Sequence, residues 1–251
     1  ESYDYPEYFF QKRVHRITRP VAVEEELEDL AEIIAEAKKP LVIVGGGVRY
    51  SEAGETVEKF CEEFKIPFGE SQAGKSACKS SHPYCLGGIG VTGTYASNII
   101  AEDADVVIAI GSRMSDFTTS SKRLFKNPDV KFVTINNCRF HAYKMDAAKA
   151  VGDAKVTVEA LTKKLRARGY VSAYNGEIEE AKKVWDKEMV RLAGIEYTGD
   201  DFEPIIKARD PRTIPEFVKM TNGKITQTAA LAAIRRVIDE DATIITAGGS
   251  L

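Results

Sequence analysis

The clearest pattern in the chain is an unbroken apolar run that stops in three glycines: Pro40-Leu41-Val42-Ile43-Val44, then Gly45-Gly46-Gly47. Apolar side chains without alternation mark a strand buried on both faces, as in a parallel sheet. The glycines allow a sharp turn where a side chain would clash. Beyond them, Ala53, Val57, Phe60, Cys61 and Phe64 recur at spacings of three and four, which predicts a helix over 51–65. Strand, glycine turn and helix form the first half of a βαβ unit. Ligands of open α/β sheets sit just beyond such strand ends.

The same alternation of elements runs through most of the chain. Leu27, Leu30, Ala31 and Ile34 make the inward stripe of a helix over 23–39, acidic in its first turn, ending in Lys38 and Lys39 and stopped by Pro40. A short strand is expected at 66–69, a second strong buried strand at 105–110, a third at 131–135 and a short fourth at 149–152. Helices are expected at 94–102 and 153–168, the latter capped by Asp153 and stopped by Gly169. A charged helix follows over 177–192, with Ile178, Ala181, Trp185 and Met189 on one side. Residues 194–223 carry Pro204, Pro211 and Pro215 and read as an irregular connector. A helix at 226–239 and a strand at 243–247, ending in Gly248-Gly249, read as the pattern restarting. The fold class is therefore α/β, a doubly wound parallel sheet. It divides into an arm (1–22), a central α/β domain (23–170), a helix and connector (171–223) and the opening of a further domain (224–251). The chain begins at Glu1 and stops just after a strand and glycine turn, so it reads as a piece of a longer polypeptide.

Composition narrows the function. At 251 residues, 43% hydrophobic and 29% charged, this is an ordinary globular composition. The net charge of −3 gives no reason to expect nucleic acid or an anionic membrane as partner. No apolar run approaches the ~20 residues that span a bilayer. Four cysteines without a C-x-x-C pair read as free thiols in a reducing, cytoplasmic compartment. The arm crowds Tyr3, Tyr5, Tyr8, Phe9 and Phe10 together, and these are expected to cover another part of the protein.

Candidate chemistry gathers at strand ends. Gly46 lies behind the first strand. Arg113 and Asp116 lie behind the strand at 105–110, placed either to hold a nucleotide's phosphate or ribose or to pin the loop as an internal ion pair. Gly93 closes a glycine-rich loop, 87–93, which either brings backbone N–H groups to a phosphate or makes a tight turn in a packed crossover. Gly69 to Ser76 matches G-x-x-x-x-G-K-S, yet no helix follows at 77–83, so the match reads as chance. Tyr50 replaces the third glycine of the dinucleotide fingerprint. His15, His82 and His141 show no metal spacing.

In this order, the strand-GGG-helix at 40–65, Gly74-Lys75, His82-Pro83, Gly87 to Gly93, Ala104 to Arg113, Asp116 and Gly152-Asp153 resemble the central domain of thiamine-diphosphate enzymes like acetolactate synthase. Val48 to Ala53, Gln72 to Lys75, Phe140 to Met145 and Gly223 to Gln227 resemble, within them, the trihydroxycyclohexanedione hydrolase family of myo-inositol catabolism. The resemblance implies a thiamine-diphosphate- and Mg²⁺-dependent enzyme that cleaves a carbon–carbon bond of a small cyclic dione. It implies active sites formed between subunits, hence a homodimer or tetramer. The catalytic glutamate and the G-D-G metal motif would lie outside these 251 residues, so the piece alone is expected to be inactive. Residues 224–251 would open the diphosphate-binding domain, with Gly249 and Ser250 approaching the cofactor. In some relatives the central domain holds FAD or another adenine nucleotide such as ADP, and Gly46, Gly93, Arg113 and Asp116 are the matching positions. An acetolactate synthase-like enzyme, an adenine-nucleotide-binding module and a structural, oligomerising domain are the alternatives.

Overall fold

A computed structural model describes residues 3–195, 210–221, 223–239 and 242–245. The chain forms two compact units, Glu1–Lys182 and Lys183–Leu251.

The first unit is a six-stranded parallel sheet. Its strands are β1 (Pro40–Val44), β2 (Phe68–Glu70), β3 (Cys85–Gly88), β4 (Val106–Ile110), β5 (Lys131–Asn136) and β6 (Ala148–Val151), in spatial order β3-β2-β1-β4-β5-β6. This is the doubly wound order expected. The chain builds outward from β1 to β3, then crosses back to β4, so β1 and β4 are neighbours at the switch point, in register from Pro40 with Val106 to Val44 with Ile110. Every residue of β1 and β4 is buried, which is why neither run alternates.

The helices have the faces their sequences predict. In α1 (Glu24–Ala35), Leu27, Leu30, Ala31 and Ile34 are buried. In α3 (Gly54–Phe64), Val57, Phe60, Cys61 and Phe64 are buried. In α7 (Ala154–Ala167), Val158, Leu161 and Leu165 are buried. Together these stripes share one core with Val42, Val44, Ile108, Ile110 and Ile135. Each fully buried side chain of this kind contributes about 1.5–3 kcal/mol. On the opposite face, α4 (Tyr95–Asp103) buries Ala96, Ser97, Ile100 and Ala101, and it approaches β2 so closely that a Cβ on Gly69 would stand 2.3 Å from Ser97 Oγ. Asp153 caps α7 as expected, and Thr94, expected as the first residue of its helix, caps α4. Thr94 Oγ1 accepts from Ser97 N, and Asp153 Oδ1 accepts from Lys155 N and Val156 N. Gly169 ends α7 at φ +64°.

Several boundaries differ from expectation. The three glycines do not make a turn with positive φ; Gly46 and Gly47 open a short helix, α2 (Gly46–Tyr50), and α3 starts only at Gly54. The strand expected at 66–69 begins at Phe68, because Ile66 N–H closes the end of α3 on the Cys61 carbonyl. Gly87 and Gly88 of the expected glycine-rich loop belong instead to the edge strand β3, which runs from Cys85 to Gly88. Short helices α5 (Asp116–Thr119) and α6 (Arg139–Ala142) follow β4 and β5. The arm's aromatic residues cover nothing among the described residues: Tyr3, Tyr5, Tyr8, Phe9 and Phe10 are all exposed, and Tyr3, Tyr5, Tyr8 and Phe9 contact one another.

Helix α8 (Glu177–Ala193) matches its prediction. In the second unit, the expected irregular connector contains α9 (Thr213–Thr221), with Pro215 in its first turn, where a missing N–H breaks no helical bond. The helix α10 (Gln227–Arg235) is capped by Thr226, whose Oγ1 accepts from Ala229 N, and ends earlier than the expected 239. Residues 242–245 pair in no strand, and the rest of the strand expected at 243–247 lies outside the described residues.

Candidate functional site

A cleft of about 1030 Å³ opens at the carboxyl ends of β1, β4 and β5. It lies at the topological switch point, where an open α/β sheet parts its loops to either side. At its floor, the chain behind β1 is pressed against the chain behind β4. Gly45 N donates to Ile110 O (2.8 Å) and Gly47 N to Gly111 O (3.0 Å). A Cβ on Gly45 would stand 2.3 Å from the Gly111 carbonyl oxygen, and one on Gly47 2.6 Å from Gly111 Cα. These two glycines are therefore required for backbone-to-backbone packing. Gly111 itself sits at φ +60° with Gly47 Cα 2.6 Å from its own Cβ direction.

Asn136, at the end of β5, stitches the next wall. Its Nδ2 donates to Ser112 O (3.0 Å), and its Oδ1 accepts from Cys138 N (3.0 Å). This orients the segment that carries Cys138 and His141 into the lining. The His141 ring meets Phe140 edge-on at 5.4 Å, and its Nδ1 is buried without a hydrogen-bond partner among the described residues. Burial holds the imidazole below its ordinary pKa, and the charges of Lys144 and Arg113 add to the effect. On the β2 side, Ser71 and Gln72 line the cleft. That loop is fixed by Glu70, whose buried carboxylate accepts from Lys75 Nζ (2.8 Å) and Ser76 N (3.1 Å). Lys75 thus answers an internal carboxylate, and no helix follows it, in line with reading the P-loop match as chance.

The residues expected from sequence are only partly gathered. Gly46 and the exposed Arg113 line the cleft. Asp116 is exposed at the start of α5 and is not part of the lining, and it forms no ion pair with Arg113 among the described residues. Gly93 packs inside its own loop, where a Cβ would come within 2.8 Å of Asn98 Oδ1, Gly88 O and Gly90 N. Gly249 and Ser250 lie outside the described residues. Asn136, His141, Ser112 and Arg19 were not foreseen. Ser112 follows β4, Asn136 and His141 lie at and behind the end of β5, and Arg19 belongs to the arm, so only the order of the strands brings them together. The arrangement offers neutral donors and acceptors, cations at Arg19 and Arg113, the carboxylate of Asp153 and a volume at the upper end of small-molecule sites, so its chemistry is that of binding. No group of three or more His, Cys, Asp or Glu residues able to hold a metal occurs among the described residues.

The family model for the thiamine pyrophosphate enzyme central domain matches residues 27–161. The chain belongs to this family. The matched span begins in α1 and ends in α7, so it takes in the sheet and the cleft floor. The chain is also similar over its whole length to proteins named 3D-(3,5/4)-trihydroxycyclohexane-1,2-dione hydrolase. It is 60% identical to one from Clostridium perfringens, 59% to one from Clostridium botulinum and 51% to one from Bacillus cereus. In each case all of this chain is covered, and it spans 39% of the relative's length. The family is the one the spaced motifs resemble.

Proposed function

We propose that these 251 residues are the central portion of a thiamine-diphosphate-dependent hydrolase that cleaves a carbon–carbon bond of a trihydroxycyclohexanedione. The observation that carries the reading is the end-to-end similarity, at 51–60% identity, to relatives bearing that activity in their names. The described residues offer no donor set for the Mg²⁺ of a bound diphosphate, so none is assigned to that cofactor and no step is derived through it. On this reading the domain is a scaffold flanked by cofactor-binding segments: 1–22 a linker arm, 23–170 the domain, 171–223 a connector and 224–251 the start of the diphosphate-binding domain. The assembly is a cytoplasmic homodimer or tetramer. The test is dione hydrolysis by the whole polypeptide, with and without thiamine diphosphate and Mg²⁺. Turnover that needs both supports the proposal. A folded whole enzyme that leaves the dione intact while making acetolactate from pyruvate overturns it.

A second role follows from the cleft. Gly46 and Arg113 face one volume large enough for an adenine nucleotide, FAD or ADP, with the guanidinium available to a phosphate. Thermal unfolding with each nucleotide in excess decides this. A ligand at ~100 times its dissociation constant adds ~2.7 kcal/mol. No shift with either nucleotide would leave the cleft a structural feature of the scaffold.

A further inference from the structure

One wall of the cleft is not made by the sheet unit's loops at all. It is made by Ile17, Thr18, Arg19 and Pro20, the end of the arm. Residues 3–21 are exposed throughout, and Ala22 is the first buried residue. Among the described residues, Arg19 is the one side chain of 3–21 that bonds outside the arm. Its guanidinium donates to Ser51 O (2.6 Å), to Asp153 Oδ2 (3.0 Å) and to Glu52 Oε2 (3.2 Å). These acceptors come from two sides of the cleft: Ser51 and Glu52 end the turn behind β1, and Asp153 opens α7. The backbone adds one bond, and Ala22 behind it is packed into the core. Asp153 N donates to Pro20 O (2.8 Å), and Gly152 leaves room for the strand of arm, since a Cβ there would stand 2.8 Å from Ala22 N.

Asp153 divides its carboxylate between two tasks. Oδ1 caps α7, and Oδ2 holds Arg19. The helix end therefore persists without the arm, whereas the arm's hold on the cleft depends on Arg19. The fork geometry of a guanidinium is what lets a single side chain span three acceptors on two elements, and a lysine would reach only part of them.

We propose that residues 17–20 are a movable strap forming one wall of the cleft, hinged ahead of the buried Ala22, and that Arg19 is its latch, so that release of Arg19 from Ser51, Glu52 and Asp153 widens the cleft to solvent. The inference does not depend on which ligand the cleft takes. It gives the arm a consequence: anything that pulls on its exposed aromatic stretch acts on the same latch.

Cys138 provides an internal reporter. It lines the same cleft and is half-buried, whereas Cys61, Cys78 and Cys85 are buried in the core, with thiols pushed up in pKa first by that burial. The experiment compares wild type, Arg19→Ala and Arg19→Lys in the whole protein. It follows hydrogen exchange of Asp153 N–H, which the Pro20 carbonyl of the strap accepts, and of the first turn of α7, and the rate at which a thiol reagent labels Cys138. The expected result is a rise of about fivefold in both Asp153 N–H exchange and Cys138 labelling for Arg19→Ala, a smaller rise for Arg19→Lys, and unchanged exchange in α7. Unchanged Asp153 N–H exchange overturns the proposal. So does faster Asp153 N–H exchange with Cys138 labelling at the wild-type rate, because the strap would then not be a wall. An equal rise in α7 also overturns it, because Arg19 would then be a brace for the helix. If Arg19→Ala does not accumulate folded, Arg19→Lys and Glu52→Gln carry the same comparison.

Discussion

Gly45-Gly46-Gly47 and Gly87-Gly88-Ile89-Gly90 look alike as text, but their glycines answer different demands. The first stretch contains no positive φ; two of its residues already lie in a helix, a backbone any residue adopts. Gly45 and Gly47 are set by space alone, because the backbone of Gly111 and Ser112 occupies the volume a Cβ on Gly45 would need. In the second stretch conformation enters: Gly87 and Gly90 sit at φ +88° and +98°, where L side chains are strained, and at Gly90 space adds to it, since a Cβ there would stand 2.0 Å from Phe117 O. A glycine signature at a strand end is thus evidence for a ligand only after both of these demands have been checked. At Gly45 and Gly47 the neighbour that fills the space is protein.

The largest effect should come from Gly45→Ala. Its methyl would meet backbone, which cannot rotate away, so β1 and β4 would have to separate at the switch point. We expect a loss of about 3 kcal/mol or more, read from urea unfolding. A loss below about 1 kcal/mol would mean that the crossing yields easily, and the packing account would fail. Gly87→Ala should cost less, about 1–2 kcal/mol, since its cost is the left-handed conformation plus contact with the Thr94 side chain 2.6 Å away, which can shift. Asparagine tolerates that region better, so Gly87→Asn should recover part of the loss. Equal losses for alanine and asparagine would show that space, not φ, governs both stretches.

The reading from sequence succeeded where one physical signal dominated. Uniformly apolar runs gave β1 and β4, stripes at three and four gave α1, α3 and α7, and Asp153 marked the cap of α7. It missed elements where local preference and tertiary context disagree. Edge strand β3 ends in two glycines and reads as a loop, and its pairing with β2 supplies what its residues lack. Helix α2 begins with two glycines that oppose helix formation, and packing against Gly111 overrides them. The cleft was legible only at the strand ends nearest β1 and β4. Arg19 and Asp153 are 134 positions apart, and nothing in either neighbourhood announces the other.

Within the triplet itself the comparison sharpens further. A Cβ on Gly46 would stand 3.3 Å from Ala73, an exposed residue on a loop that can give by a few tenths of an ångström. Alanine also favours a helical position over glycine by up to about 1 kcal/mol. Gly46→Ala should therefore be near neutral in urea unfolding, within about 0.5 kcal/mol, although its neighbour Gly45 tolerates nothing. A loss as large as that of Gly45→Ala would show that the whole triplet is one rigid contact.

The smallest effect concerns charge, and it separates the crossing from the helices packed beside it. Glu63 of α3 and Arg166 of α7 form a two-pronged pair at 2.7 and 2.8 Å, with side chains 34% and 62% exposed. The hydrogen bond from Arg166 holds the Glu63 carboxyl below its ordinary value of 4.5, burial opposes this, and the charge of Arg166 adds to it. A carboxyl depressed in the folded state contributes stability that is present above its unfolded value and is lost as pH falls through the lower folded one. The melting temperature should therefore fall on the acid side of 4.5, and Glu63→Gln should flatten that limb while changing little at neutral pH. Added salt should shrink the difference between the two proteins. The β1–β4 crossing is joined by amide contacts that carry no titrating group, so the protection of Gly47 N–H, its exchange relative to the intrinsic rate at each pH, should stay constant across the same window. If Gly47 N–H loses protection along with α3, the sheet's switch point and its helical cover open as one unit. The distinction between a crossing set by space and a cover tuned by charge would then disappear.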